Sequence, residues 1–238
     1  MKVSNLLFLS LFMLSVGCSG RKAKSAIVTV AQERPIIDGS IDDCWKGLPE
    51  YPIDGTLGGD INWDGEDDLS ATFRVLMHDN DLFFLVKVTD DIEGFLEESM
   101  MIQHWENDNV EFFFTNATKL SVGEMSETDT IYFVNYSAPY DRLQKLGNIP
   151  EYKSKNISFG RQNIEGGYLL EVCFEKELGV FDFEKSTIPF NIGLADNDNE
   201  IVEKGFMKGS ESGISWGYNS GSTSWKESIN YGDLVIDR

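Results

Sequence analysis

The sequence predicts an all-β domain, a two-sheet antiparallel β-sandwich with long loops and one or two short helical turns. Three observations predict it. Apolar residues recur at every second position in many short segments, the period of a strand with one buried face. Gly, Asn and Asp clusters separate those segments, and these residues favour turns. Helix signals are confined to residues 41–47 and 175–180. The layers available to bury the apolar faces are therefore sheets, in a jelly-roll or immunoglobulin-like arrangement.

The elements follow in chain order. Residues 28–30 give an N-terminal strand, and 41–47 form a helical turn with Ser40 or Asp42 as its N-cap. In 71–78, Ala71, Phe73, Val75 and Met77 alternate with Thr72, Arg74, Leu76 and His78. Asp79, Asn80 and Asp81 then turn the chain into a second apolar strand, 82–88, which makes a hairpin. Further strands are read at 110–115, 130–136, 157–161, 167–174, 189–195, 213–217 and 231–236. Residues 116–129 and 137–155 are polar or irregular and read as long loops inside one domain.

The N-terminus has the pattern of an export signal. Lys2 precedes an apolar run from Leu6 to Val16, too short for a bilayer span of about 20 residues. It ends Leu14-Ser15-Val16-Gly17-Cys18, which resembles the lipobox of bacterial lipoproteins, with Ser15 in place of the usual leucine. That resemblance implies a signal peptide over 1–17, an acylated Cys18 with a tether to residue 26, and a domain over 27–238. It places the protein on the bacterial cell envelope, at the outer membrane. An ordinary signal peptide with a chance cysteine is the alternative. Two further cysteines, Cys44 and Cys173, stand without a CxxC or a Cys/His zinc spacing. They read as small buried thiols, with a disulfide between them as the other option.

The formal net charge is −20, from 20 basic and 40 acidic side chains. That balance argues against nucleic acid as a partner, because its binding needs Lys and Arg on phosphates. It suits bound Ca²⁺, which prefers carboxylate and carbonyl oxygens. The run Asp196-Asn197-Asp198-Asn199-Glu200 starts like an EF-hand loop but has Ile201 at position six and Met207 at position twelve, so an EF-hand is rejected. A loop-built calcium site drawing on Asp90, Asp91 or Asp38 is the remaining cofactor expectation.

A set of segments in order then carries a family resemblance. Pro35 to Trp45 opens the domain, and the hairpin leads to Val88-Thr89-Asp90-Asp91. Trp105-Glu106-Asn107-Asp108-Asn109-Val110-Glu111-Phe112-Phe113 follows, then Gly167 to Val172, Asn191-Ile192-Gly193 and Asp196. Ile214-Ser215-Trp216, Ser224-Trp225 and Tyr231-Gly232-Asp233-Leu234 close the chain. Together they resemble family 9 carbohydrate-binding modules over about 27–236. The resemblance implies a β-sandwich that binds the ends of sugar chains between two tryptophans, often with structural calcium. Trp105 and Trp225 match the two tryptophans, Glu111 matches a glutamate that contacts sugar hydroxyls, and Asn135 falls at a position near the slot. The chain differs from the family pattern at Phe133, where a basic residue is common, at Gly193, and at Ser222 and Thr223.

The residues themselves agree with part of this. Glu111 stands in an apolar strand, where a carboxylate needs hydrogen-bond partners. Trp105 and Trp225 lie in polar loops, Trp45 and Trp216 read as core, and Trp63 stays open between a rim and a packing role. A glycosidase would need two facing carboxylates, and 40 acidic residues make any such pair uninformative. No nucleophile elbow or phosphate loop is present. The expected function is non-catalytic binding of an oligosaccharide or polysaccharide in carbohydrate catabolism, beside glycoside hydrolase or transporter partners. Two other classes fit an exported sandwich: an adhesin or assembly subunit without a sugar slot, and a haem-binding redox domain using His78, His104, Met77, Met100 or Met101.

Overall fold

A computed structural model describes residues 24–56, 65–92, 94, 107–116, 130–198, 200–202, 206–208, 211–216, 228 and 231–238. Fifteen strands account for most of them. They are β1 (Ser25–Val30), β2 (Tyr51–Ile53), β3 (Gly55–Thr56), β4 (Leu69–His78), β5 (Asp81–Asp90), β6 (Asn109–Thr115), β7 (Ile131–Ser137) and β8 (Arg142–Gly147). Then come β9 (Ile157–Ile164), β10 (Gly167–Phe174), β11 (Thr187–Asn197), β12 (Glu200–Val202), β13 (Phe206–Lys208), β14 (Glu211–Ser215) and β15 (Gly232–Asp237).

Ten strands form a continuous hydrogen-bonded path, β8-β7-β6-β11-β15-β1-β4-β5-β10-β9, with β2, β3 and β14 pairing beside it. The path curls so that its two halves face each other. Phe84 of β5 stacks on Phe190 of β11 at 5.0 Å and meets Phe112 of β6 at 5.3 Å. Phe73 of β4 meets Trp216 edge-on at 5.4 Å. Fully burying an aromatic or aliphatic side chain of this size contributes about 1.5–3 kcal/mol, so this seam is the main stabilising element.

The expected sandwich holds with one correction. The halves are not two separate antiparallel sheets, because β1 lies parallel to both β15 and β4 and joins them. The alternation that predicted the strands has a direct counterpart in burial. Leu69, Ala71, Phe73, Val75 and Met77 of β4 face the core, and His78 pairs with Asp81 across a two-residue turn. Asp79 and Asn80 take φ of 51° and 68° there, as a hairpin turn that follows the strand twist requires.

Several segments differ from the sequence expectation, among them the short strands β2, β3, β12 and β13, which it did not contain. Residues 137–155, read as loop, contain β8 and a 3-10 helix over Glu151–Asn156. The turn at 41–47 shrinks to a 3-10 helix over Asp43–Trp45, and its N-cap Asp42 makes no side-chain cap bond. The Asp42 carboxylate accepts instead from the Ile36 backbone N–H at 2.8 Å.

Residues 31–48 cross the outer face of β5 and β10 and bury a second apolar cluster, Trp45, Leu76, Phe83, Leu85, Leu169 and Cys173. Glu171 pins this segment. Its carboxylate accepts from the Trp45 indole N–H at 2.7 Å and from the backbone N–H groups of Asp38 and Gly39 at 3.0 and 2.8 Å. Gly39 is at φ 82°, and a Cβ there would lie 2.5 Å from the Arg161 backbone, so only glycine lets the crossing segment touch β9. Trp45 and Trp216 are 0% and 2% exposed, as the sequence predicted. Cys44 and Cys173 are free thiols, and burial pushes the Cys173 thiol up to about 12.

Candidate functional site

The candidate site grows out of the alternation of β6 and β7. Val110, Phe112 and Phe114 of β6 and Val134 and Tyr136 of β7 point into the core. Their neighbours therefore point outward. Cross-strand register pairs Asn109 with Ser137, Glu111 with Asn135, and Phe113 with Phe133. On the other side of β6, Gly193 of β11 pairs with Glu111 and Asn191 with Phe113.

The outward face thus has a polar part and an apolar part. Glu111 is half-buried and accepts a hydrogen bond from Asn135 Nδ2 at 3.2 Å. Burial pushes its carboxyl up to about 7, against the lowering effect of that bond. Beside it, Phe113, Ile131 and Tyr231 form a small buried cluster with Phe133 packed against it. Burial and then the charge of Glu111 hold the Tyr231 hydroxyl well above its ordinary range. Phe133 fills the space over Gly147, its partner on β8, where a Cβ would come within 1.8 Å of the ring.

Of the site residues read from the sequence, the structure brings Glu111 and Asn135 together. Trp105, Trp225, Trp63 and Ser222, together with Cys18, lie outside the described residues. Asn109, Ser137 and Tyr231, which the sequence reading did not single out, stand next to that pair. Asn109 and Ser137 are 1% and 0% exposed, yet each stands at a strand end among polar residues, where composition signals a turn. The signal that finds them is register: both sit two residues from a site residue on the same face.

The inward register ends in acid. Continuing the core positions beyond Val88, Val110 and Leu194 gives Asp90, Asp108 and Asp196 at one end of the sandwich. All three are buried, with carboxylate oxygens within 4.8 Å of one another. Asp108 accepts from the backbone N–H of Gly94 at 2.6 Å and of Asn197 at 2.8 Å. A Cβ on Gly94 would lie 1.7 Å from the Asn197 carbonyl oxygen, so glycine lets the segment close on the cluster. Burial, then the neighbouring Asp90 and Asp196, push the Asp108 carboxyl up to about 9. Asp68, Asp91 and Asp198 form a second group of the same span. Oxygen-only donors suit a hard cation such as Ca²⁺. Asp38 belongs to neither group; its side chain accepts from the Ser40 N–H.

The haem candidates within the described residues are otherwise engaged. Met77 is core, and His78 Nδ1 lies 3.2 Å from the Ala31 carbonyl oxygen.

Comparison with known proteins follows from this geometry. The family description "Carbohydrate family 9 binding domain-like" matches residues 37–237. Endo-1,4-beta-xylanase A of Thermotoga neapolitana is 26% identical over 210 residues, which cover 88% of this chain and 18% of the xylanase. Exoglucanase XynX of Acetivibrio thermocellus is 26% identical over 211 residues, covering 88% of this chain and 17% of the exoglucanase. The chain spans less than a fifth of these relatives. A family 9 carbohydrate binding module from Caldicellulosiruptor kristjanssonii in complex with glucose superposes with a TM-score of 0.63 at 17% identity, covering 90% of this chain and 96% of that one. The complex of such a module with cellotriose gives 0.62 at 17% identity, covering 90% and 94%. At that identity the likeness is one of fold.

Proposed function

The chain belongs to the carbohydrate family 9 binding-domain-like family, and from that premise we propose that it is a non-catalytic binder of oligosaccharide or polysaccharide chain ends. The observation that carries the proposal is the outward Glu111–Asn135 pair. A carboxylate and an amide held side by side on a rigid sheet suit the vicinal hydroxyls of a sugar edge. Trp105 and Trp225, at positions matching the family, would cover the two C–H faces of the ring. Burying those faces contributes about 2–3 kcal/mol, and roughly four to six hydrogen bonds add about 1 kcal/mol each. Association costs remove several kcal/mol, which leaves a dissociation constant between about micromolar and millimolar.

The relatives support the binding role. They are multidomain enzymes in which this chain's counterpart is a minor part, and the similar structures hold glucose and cellotriose. The proposal extends to Ca²⁺ at the Asp90, Asp108 and Asp196 cluster, where it would neutralise three buried carboxylates and tie β5, β6 and β11 together at the site end. It also extends to a lipid anchor at Cys18, an outer-membrane location and work beside a hydrolase or transporter in carbohydrate catabolism. The signal-like pattern ending at Cys18 supports the anchor and the location, and the enzyme relatives support work beside a hydrolase.

The test is tryptophan fluorescence of the domain from Lys24 onward against a sugar panel, with and without calcium. A Trp105→Ala, Trp225→Ala variant runs beside it. Saturable quenching or a blue shift that the variant loses is the expected outcome. A folded domain that responds to no sugar in a broad panel sinks the proposal in favour of an adhesin or assembly role.

A further inference from the structure

Glu111 has unequal neighbours on its two sides. Asn135 of β7 donates to its carboxylate at 3.2 Å. Its partner on β11 is Gly193, which offers no side chain. Any cover on that side comes from a residue that lies over β11. The carboxyl is nonetheless half-buried, and burial is what raises it to about 7.

Tyr231 stands at the place that needs filling. Gly232 pairs with Phe190 of β11, so Tyr231 comes beside Asn191, two residues from Gly193. Leu234 and Ile236 of β15 face the core, and alternation turns Tyr231 to the Glu111 face. Asn191 pairs in turn with Phe113, and the Phe113 and Tyr231 rings lie 6.5 Å apart. Tyr231 is 1% exposed. Its backbone N–H donates to the Ser228 carbonyl oxygen at 3.0 Å, in a turn whose Ser228 is also buried. The charge of Glu111 reaches the phenol and adds to the effect of burial on it. On this face β7 and β11 place only uncharged residues beside Glu111. β8 places Lys145 next to Asn135 in register, and β15 places Asp233 two residues past Tyr231.

We propose that Tyr231 is a positioning residue for Glu111. Its ring fills the space that Gly193 leaves, holds the carboxylate against Asn135 and keeps water from it. A side chain ordered before the ligand arrives removes an entropic cost from binding. This inference rests on the carbohydrate-binding reading and adds a residue to its site.

The test follows the Glu111 carboxyl by carbon NMR of the glutamate-labelled full chain without ligand, with Glu111→Gln to assign the signal. Calorimetry with cellotriose runs beside it. Tyr231→Phe keeps the ring and is expected to leave the titration and the affinity as in the parent. Tyr231→Ala and Tyr231→Leu are expected to lower the Glu111 titration by about one unit or more toward 4.5, since water then reaches the charged form. They are also expected to weaken cellotriose binding about tenfold. Leucine keeps the cluster filled, so that variant decides the matter where alanine fails to fold. A Glu111 titration in Tyr231→Leu equal to that of the parent would overturn the role, even with a fall in affinity, because damage to the fold would then account for the fall. Absence of binding across the sugar panel would sink the carbohydrate reading and leave the ligand-free titration to judge Tyr231.

Discussion

Glu111 and Glu171 are two carboxylates on sheet faces with opposite surroundings. Glu171 is closed off by three N–H donors from the segment that crosses it and serves the fold. Trp45→Phe removes one of those donors from a buried carboxylate, and a loss of about 1–3 kcal/mol is expected. Urea denaturation checks it; an unchanged midpoint would count against the role given to Glu171. Glu111 has its carboxyl raised from 4.5 to about 7. Its charged form is disfavoured in the fold, so the destabilisation is absent below about pH 4.5 and sets in as pH rises through 7. Glu111→Gln should therefore raise the melting temperature more at pH 8 than at pH 5. Sugar affinity in the parent should move the other way and strengthen as pH rises through 7, since hydroxyls donate best to the carboxylate, with Asn135 and Tyr231 as the described neighbours that set its environment. A flat pH profile of binding would show that Glu111 does not meet the ligand in charged form. Trp45, Trp216 and Glu111 were legible in the sequence because each contrasts with its immediate neighbours. The burial of Asn109 and Ser137 was not, since a polar residue at a strand end looks the same whether it faces solvent or is covered.

At the scale of the element, long strands with clean alternation were readable, and short or polar ones were not. β4, β5, β6 and β10 carry an apolar residue at every second position and enclose the core. β8 reads Arg-Leu-Gln-Lys-Leu-Gly and is an edge strand, so little in its composition marks burial. β2 and β3 contain Pro52 and Gly55, residues that mark turns when met in a sequence. Their pairing with β4 and β14 is decided by tertiary contact. Gly147 gives β8 a purpose that composition hides, since it makes room for the Phe133 ring. Gly147→Ala is expected to cost about 1–3 kcal/mol by overpacking. The Gly147→Ala, Phe133→Ala double variant should lose less than the sum of the two single changes. Additive losses in a double-mutant cycle would separate the two positions.

For the molecule as a whole, charge is the deciding quantity. A net charge of −20 opposes compaction by self-repulsion, and the buried Asp90, Asp108 and Asp196 concentrate that repulsion at one end. Calcium bound there would stabilise the fold by about 2.7 kcal/mol at a hundredfold excess over Kd, which for a chain of this size is a rise in Tm of roughly 5–10 °C. Removal by chelator should reverse the rise. Asp108→Asn should lose most of the calcium-dependent rise in Tm, because the substitution removes a ligand, and should change the stability without calcium less, because burial already holds the Asp108 carboxyl protonated at neutral pH. Scanning calorimetry under both conditions checks this, and a variant that keeps the full rise would deny the cluster its cation. The clustering was out of reach of the sequence. Its three members lie far apart along the chain and meet only because the inward register of three strands runs out at the same end.

The parallel course of β1 and β15 has a practical consequence for how the protein is attached to anything else. Ser25 lies beside Asp233 and Thr29 beside Asp237, so the polypeptide enters at one pole of the sandwich and leaves at the other. Glu111 sits near the entry pole, because β11 runs on past its pairing of Phe190 with Gly232 to reach Gly193. A fluorescent reporter or a resin linkage placed after Arg238 would leave the Glu111 face open, whereas the same group spliced ahead of Lys24 would crowd it.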